Sequence, residues 1–311
     1  MTDPTIVNKT YISNRLEAEL SDLAVFPKYF LIETLNICNA RCVMCPVGVS
    51  KRKKGHMDDR LFDKIVSELK DHTDHIRQVA LFLLGEPLLD KKIFSRIKAL
   101  KNIGVQKVLL ASNGALLTLD RIDKLLASGL DTIYISIDGF NKKTYESIKK
   151  GLLFETVVEN VKHLLEKRDE VDSGLCIRLQ FILQNKNFNE MESWKNHWHT
   201  YLGTQDEMKV IKVSNWGSQL DINDFDMGQL ASPCISPFGT FVIQYDGRVC
   251  LCCADFDCKV KLGDMNRESI GEVWHSQKFK TIRNNFLEGA VDIPMCKKCT
   301  VWRDDKYYTS S

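Results

Sequence analysis

The run Cys38-Asn39-Ala40-Arg41-Cys42-Val43-Met44-Cys45 is the most informative stretch of this chain. Its C-x3-C-x2-C spacing can supply three thiolates to one metal centre. Four thiolates would complete the protein ligands of a 4Fe–4S cluster, as in ferredoxins. Three leave one iron without a protein ligand, so that iron could bind a further molecule. A zinc site and a chance grouping of cysteines are the alternatives.

The composition is that of a globular protein with a substantial core, since 44% of the 311 residues are hydrophobic and 27% are charged. A formal net charge of +2 gives no global field that would attract nucleic acid. No apolar run reaches the roughly 18–20 residues of a membrane span, and the first residues lack the features of a secretory signal. The 11 cysteines are clustered and odd in number, which favours metal binding in a reducing cytoplasm over disulfides.

Strand-like and helix-like segments alternate along most of the chain. Apolar strand candidates lie at 29–35, 78–84, 106–111, 132–137, 175–183 and 209–213, and segments of helical periodicity separate them. This alternation predicts an α/β fold in which helices cover a parallel sheet. About six such units are fewer than the eight of a closed barrel.

The alternation ends near residue 213. The polar segment 214–230 reads as a linker. The turn Asp246-Gly247 between apolar runs predicts a hairpin, and a helical stretch follows near 268–287. We therefore expect the following domains: an extension at 1–27, a large domain at 28–213, a small domain at 231–301 and a tail at 302–311.

Polar motifs follow three of the predicted strands, where parallel α/β folds bind their ligands. Each motif taken alone is also an ordinary set of turn residues. The motif residues are Gly85 and Glu86, Ser112 and Asn113, and Ser136 and Asp138.

The cysteines and these motifs together resemble the radical S-adenosylmethionine (radical SAM) superfamily. The resemblance implies a partial (β/α)6 barrel with a 4Fe–4S cluster on Cys38, Cys42 and Cys45. The open iron would hold S-adenosylmethionine, and an electron from the cluster would cleave it to a 5′-deoxyadenosyl radical. By the same resemblance, Gly85-Glu86 would meet the amino group of the cofactor. Ser112, Asn113, Ser136 and Asp138 would contact its ribose and carboxylate. Leu84 stands where the family's Gly-Gly-Glu motif has its first glycine.

A second cysteine set, Cys234, Cys252, Cys296 and Cys299, lies in the predicted small domain. It resembles the SPASM, or twitch, domain of many radical SAM enzymes, which implies an auxiliary 4Fe–4S cluster. Its cysteine pattern is similar to that of the 2-deoxy-scyllo-inosamine dehydrogenase type. Cys250 or Cys253 could replace Cys252 as a ligand, and Cys258 is then a spare thiol. A structural zinc site on the same thiolates is the competing interpretation.

These resemblances imply a radical SAM oxidoreductase with two 4Fe–4S clusters. A cluster with four cysteine ligands is suited to accept an electron, which favours net oxidation of a sugar-like or aminocyclitol alcohol. Strand alternation would point Cys176, Arg178 and Gln180 into the barrel, as weak candidates for contact with substrate. The other reading of Arg178 is an ion pair with a carboxylate inside the barrel.

The expected partners are a small-molecule substrate and an external electron donor such as flavodoxin or ferredoxin, with neither nucleic acid nor membrane. One alternative function is peptide modification by epimerisation or crosslinking. Another is a metal-binding scaffold without catalysis, which would leave the motifs at the strand ends unexplained. The basic run at 51–54 is either a solvated surface or a contact for an anionic substrate.

Overall fold

The computed structural model describes residues 20, 25–224 and 234–301. The predicted tail at 302–311, most of the predicted extension at 1–27 and residues 225–230 of the predicted linker lie outside this part of the chain.

The strands of the described part are bounded as follows: β1 Tyr29–Ile32, β2 Arg41–Cys42, β3 Gln78–Ala80, β4 Val108–Ser112, β5 Thr132–Ser136, β6 Lys149–Lys150, β7 Cys176–Leu183, β8 Glu207–Lys212, β9 Thr240–Ile243, β10 Arg248–Cys250 and β11 Lys261–Asp264. The α-helices are α1 Asp59–Lys70, α2 Ile93–Asn102, α3 Leu119–Leu126, α4 Lys142–Ile148, α5 Phe154–Glu170, α6 Met191–His199, α7 Ser236–Gly239, α8 Ile270–Trp274, α9 Gln277–Leu287 and α10 Pro294–Lys297. Short 3-10 turns cover Pro46–Gly48, Pro87–Leu89 and Phe188–Glu190.

Six parallel strands form the centre of the fold in the order β1-β3-β4-β5-β7-β8. A helix follows each of the first five, as the right-handed crossovers of a parallel sheet require. The predicted α/β fold is therefore confirmed, with six parallel strands and a helix after each of the first five. The sheet stays open, with β8 at one edge.

The C-terminal strands extend the same sheet instead of forming a separate one. Strand β9 pairs in parallel with β1, and β10 and β11 add to it in antiparallel order. The predicted hairpin is thus present, with its turn at Asp246-Gly247. The helical stretch near 268–287 consists of two helices, because Ser276 caps the second one through a hydrogen bond to the Phe279 amide. The cap starts a new helix after the chain turns at His275.

One hydrophobic core lies between the sheet and its helices. Helix α1 shows how the sequence builds it, since four apolar residues at helical spacing are its buried face: Leu61, Phe62, Ile65 and Leu69. They pack with strand residues such as Phe30 and Val79, which are fully buried. Each such side chain contributes about 1.5–3 kcal/mol by leaving water. No helix in the described ranges combines the length and the apolar character needed to cross a bilayer.

Candidate active site

The three N-terminal cysteines share one loop at the carboxyl edge of the parallel strands. Their thiols are partly exposed and interact electrostatically with one another. Burial raises the pKa of the Cys45 thiol to about 11. A short two-stranded ladder holds the loop, because Cys42 in β2 pairs with Lys149 in β6. The Cys45 amide donates to the Cys42 carbonyl at 3.1 Å, which forms a tight turn between the second and third cysteines.

Gly85 and Glu86 lie directly against the chain that leads into this loop. The Glu86 amide donates to the Ile37 carbonyl at 2.8 Å. A Cβ on Gly85 would stand 2.5 Å from the Leu35 carbonyl and 2.9 Å from that of Ile37, so only glycine fits there. Leu84, which replaces the expected first glycine, is buried against Val47.

The Glu86 carboxylate joins the next motif to the first. It accepts hydrogen bonds from the Ser112 hydroxyl at 2.9 Å and from the Asn113 amide at 2.8 Å. The Asn113 side chain in turn donates to Asn39 at 2.7 Å, between the first two cysteines. Burial raises the pKa of Glu86, although these donors favour its charged form. Four of the predicted cofactor residues therefore surround the cysteine loop.

Ser136 is the last residue of β5 and Asp138 follows the strand, but the two lie in different surroundings. Ser136 is half-buried and is in register with Gln180 of β7. Both side chains therefore lie on the same face of the sheet, the one predicted to line the barrel. Asp138 is fully buried, forms an ion pair with Lys149 at 2.8 Å and accepts the Ile182 amide at 2.8 Å. Contact of Asp138 with the cofactor stays a prediction, since its carboxylate already has these two partners.

The candidate substrate residues of β7 lie at different heights along the strand. Cys176 is its first residue and stands at the end opposite the cysteine loop. Arg178 binds Glu207 and stacks 4.2 Å from the centre of the Tyr134 ring. This ion pair is the alternative that the sequence left open for Arg178. Gln180 alone of the three approaches the carboxyl edge, beside Ser136.

The four predicted auxiliary ligands come from three segments, Cys234, Cys252 and the pair Cys296 and Cys299, and meet in the C-terminal region. The thiol of Cys252 interacts with those of Cys234, Cys296 and Cys299. Burial raises the pKa of Cys296 to about 12, and burial also raises the pKa of Cys234. Thiols with such pKa values must lose their protons when iron binds.

The other cysteines of this region separate into two cases. Cys250 points away from this group and is buried against Cys258, Val242 and Leu31. Cys253 lies beside Cys252 and interacts with Cys299. The geometry therefore favours Cys252 over Cys250, and it leaves Cys253 close to the site.

A segment that the sequence indicated only as part of a linker connects the two cysteine sites. The Trp216 indole donates to the Met44 carbonyl at 2.8 Å and packs against Phe256. Asn215 donates to the Lys298 carbonyl at 2.7 Å. Tryptophan in an otherwise polar segment is the one signal that could have indicated this role.

Both cysteine sets fit iron–sulfur clusters. Within the described ranges, no three His, Cys, Asp or Glu side chains converge closely enough to bind one metal ion. This is compatible with clusters, because each thiolate of a 4Fe–4S cluster binds a different iron. The buried Glu86 and the glycine beside it would fit the amino end of S-adenosylmethionine next to the three-cysteine loop.

The fold and the two cysteine sites define a class of enzyme. Residues 32–180 match the radical SAM superfamily and residues 234–300 match SPASM, an iron–sulfur cluster-binding domain. The chain combines a radical SAM domain with a C-terminal SPASM domain, an enzyme architecture that uses S-adenosylmethionine and two 4Fe–4S clusters.

Particular relatives share most of its length. The chain is 23% identical to the S-adenosyl-L-methionine-dependent 2-deoxy-scyllo-inosamine dehydrogenase of Niallia circulans, over 86% of this chain and 90% of that one. It is 21% identical to the tungsten-containing aldehyde ferredoxin oxidoreductase cofactor-modifying protein of Pyrococcus furiosus, over 88% and 87% of the two chains.

Solved structures show the same fold. BtrN in complex with AdoMet and 2-DOIA superposes with a TM-score of 0.62 at 21% identity, covering 88% of this chain and 93% of that one. Streptococcus suis SuiB bound to its precursor peptide SuiA gives a TM-score of 0.67 at 14% identity, covering 93% and 74%. At these identities the likeness concerns the fold alone.

Proposed function

We propose that this enzyme oxidises a secondary alcohol on a sugar-like or aminocyclitol substrate. The observation that carries the proposal is the grouping of Cys234, Cys252, Cys296 and Cys299. Four thiolates leave no iron open for a substrate, so this cluster is suited to accept an electron. The Niallia circulans relative is named as a dehydrogenase of 2-deoxy-scyllo-inosamine, which supports an alcohol substrate.

Cys38, Cys42 and Cys45 would hold a 4Fe–4S cluster that, when reduced, would supply the electron for cleavage of S-adenosylmethionine to a 5′-deoxyadenosyl radical. The substrate carbon that bears the hydroxyl loses its hydrogen atom to that radical. The hydroxyl then loses its proton, and the remaining electron leaves for the auxiliary site, which gives a ketone. Gln180 lies near the carboxyl edge of the sheet, in register with Ser136, where it would contact the substrate.

Isotope transfer tests this proposal. The reconstituted enzyme is incubated anaerobically with dithionite, S-adenosylmethionine and 2-deoxy-scyllo-inosamine deuterated at each carbinol carbon in turn. We expect deuterium in 5′-deoxyadenosine for one position and a product that lacks two hydrogens, both read by mass spectrometry. A variant with Cys38, Cys42 and Cys45 changed to alanine is the control and should form neither product. Absence of both products from a panel of aminocyclitols and sugars would contradict the proposal.

Peptide modification is the second candidate, and the likeness to SuiB with bound precursor peptide favours it. This chain spans 74% of that SuiB chain. Peptide modification would give deuterium transfer to 5′-deoxyadenosine from a deuterated precursor peptide. Deuterium transfer from a peptide, without transfer from any aminocyclitol, would favour peptide modification over alcohol oxidation.

We further propose an acidic electron-transfer protein, of the flavodoxin or ferredoxin kind, as the electron donor. Residues 38–56 carry five Lys and Arg residues and no acidic residue. Arg41, Lys51, Lys53 and Lys54 are exposed, and they lie within or shortly after the three-cysteine loop in the chain. Opposite charges would steer an acidic protein to this rim. Such a donor and an oxygen-sensitive cluster are consistent with the cytoplasm, which we propose as the location.

Charge reversal distinguishes this docking from general damage. In the K51E/K53E variant, reduction by flavodoxin should slow about tenfold or more at low ionic strength, while reduction by dithionite stays unchanged. The matched control is K98E, an exposed lysine on α2. Equal loss with both reductants would indicate damage to the cluster and would contradict a docking role.

A further inference from the structure

Lys149 and Asp138 form a buried ion pair directly behind the three-cysteine loop. The Lys149 Nζ lies 2.8 Å from Asp138 Oδ2, and the two side chains are 7% and 0% exposed. Lys149 is the ladder partner of Cys42, so the pair is fixed to the loop through the backbone of β2 and β6. Asp138 is anchored from the other side by the Ile182 amide. The pair is therefore oriented, with its cation on the side of the cysteines.

Lys149 lies close enough to interact electrostatically with all three thiols of the loop, and Asp138 interacts with that of Cys42. The Tyr145 hydroxyl nearby is buried and has no hydrogen-bond partner among the described residues. Removing two charges from water costs several kcal/mol per ion, and a buried ion pair is often no more stabilising than apolar residues of similar size. Stability alone is thus a weak explanation for this pair.

We propose that Lys149 and Asp138 set the reduction potential of the 4Fe–4S cluster held by Cys38, Cys42 and Cys45. Reduction adds a negative charge to the cluster, and net charge and burial are among the properties that tune such potentials. A fixed cation close to the thiolates favours the reduced cluster, and the carboxylate behind it limits that effect. Both are positioning residues, since they would act on the cluster through their charges and not as ligands of iron. The inference rests on the first cluster of the proposed function and not on its substrate.

A cycle of variants tests the proposal, with the midpoint potential as the readout. K149M leaves the buried carboxylate alone, so the ratio of reduced to oxidised cluster at a fixed potential should fall about tenfold, which is about 59 mV for one electron. D138N leaves the cation alone, so the ratio should rise by a similar factor. The double variant removes both charges and should return to within about threefold of wild type. K149R is the matched control and should keep the wild-type value. The signal is followed by electron paramagnetic resonance, through the component that changes on addition of S-adenosylmethionine.

Opposite shifts separate this role from a structural one. A pair that only supports the loop would lower stability in both single variants without moving the potential in opposite directions. Shifts in the same direction, or shifts below about twofold, would overturn the proposal. Asparagine is nearly isosteric with aspartate, so D138N should still bind iron. If K149M does not bind iron, a higher ratio of reduced to oxidised cluster in D138N alone tests the proposal. Failure of wild-type protein to bind iron would instead contradict the proposed function.

Discussion

At the residue scale, the role of each cysteine depends on its neighbours in the folded chain and not only on its spacing in the sequence. Cys250 and Cys252 are two positions apart in one hairpin, so strand alternation alone would give them the same face. Strand β10 ends at Cys250, and the chain turns before Cys252. Cys250 consequently contacts Cys258, while Cys252 reaches the other auxiliary thiols.

Serine substitutions test this assignment. Wild-type protein should bind about eight irons per chain, and C252S should bind about four, because it loses one of four ligands of the auxiliary cluster. C250S is the matched control and should keep about eight. Iron content after anaerobic reconstitution is the measurement. Equal losses in both variants would show that the ligand assignment is wrong, and bound zinc with about four irons would indicate a zinc site.

Glu86 is the second residue whose surroundings define its role. Its carboxylate is held by Ser112 and the Asn113 amide, which fixes where a cationic amino group could bind. E86Q keeps the size and removes the charge, so S-adenosylmethionine should bind about 10- to 100-fold more weakly, the cost of about 1.5–3 kcal/mol for a hydrogen bond to a charged group. Equilibrium dialysis gives the affinity, and unchanged iron content is the control. Wild-type affinity in E86Q would exclude this role.

At the element scale, one buried carboxylate ties together the loops around the candidate site. Glu33 follows β1 directly, and both of its oxygens accept hydrogen bonds from the Arg52 guanidinium, at 2.6 and 2.5 Å. It also accepts the amides of Leu84 and Tyr245, from the loop after β3 and from the turn of the C-terminal hairpin. The basic run at 51–54, ambiguous in sequence, thus contains one structural residue among exposed ones.

Removing the Arg52 charge should be costly. R52M leaves Glu33 buried without its ion-pair partner, so the free energy of unfolding should fall by about 3–5 kcal/mol. K53M changes an exposed neighbour and should cost less than about 0.5 kcal/mol. Anaerobic denaturant unfolding of the two variants measures the difference. Similar stabilities would mean that the pair contributes little.

At the scale of the whole molecule, the two domains share one sheet. Strand β1 pairs with β3 on one side and with β9 on the other, so the C-terminal region completes the edge of the parallel strands. The linker that the sequence predicts at 214–230 separates the two domains along the chain, but it does not indicate that β1 and β9 pair. Segment 214–224 adds contacts of its own, through Trp216 and Asn215.

Truncation tests the shared sheet. A chain that ends at residue 213 would expose the β1 edge, and unpaired strand edges promote aggregation. We expect it to be insoluble or to bind no iron. A chain that ends at residue 301 removes only residues outside the described structure and should keep the stability and iron content of the full chain. A soluble truncation at 213 with about four irons would show that the parallel strands fold independently.

The sequence by itself determined the fold class, the boundaries of the six parallel strands to within a few residues and the two cysteine sets, because apolar periodicity and ligand spacing are local properties of the chain. It also indicated which strand ends carry polar groups. Only the tertiary structure decided that Glu86, Ser112 and Asn113 form one network, that Arg178 binds Glu207, and that Lys149 and Asp138 lie behind Cys42. These facts depend on contacts between distant segments, and burial and register set such contacts in the folded chain.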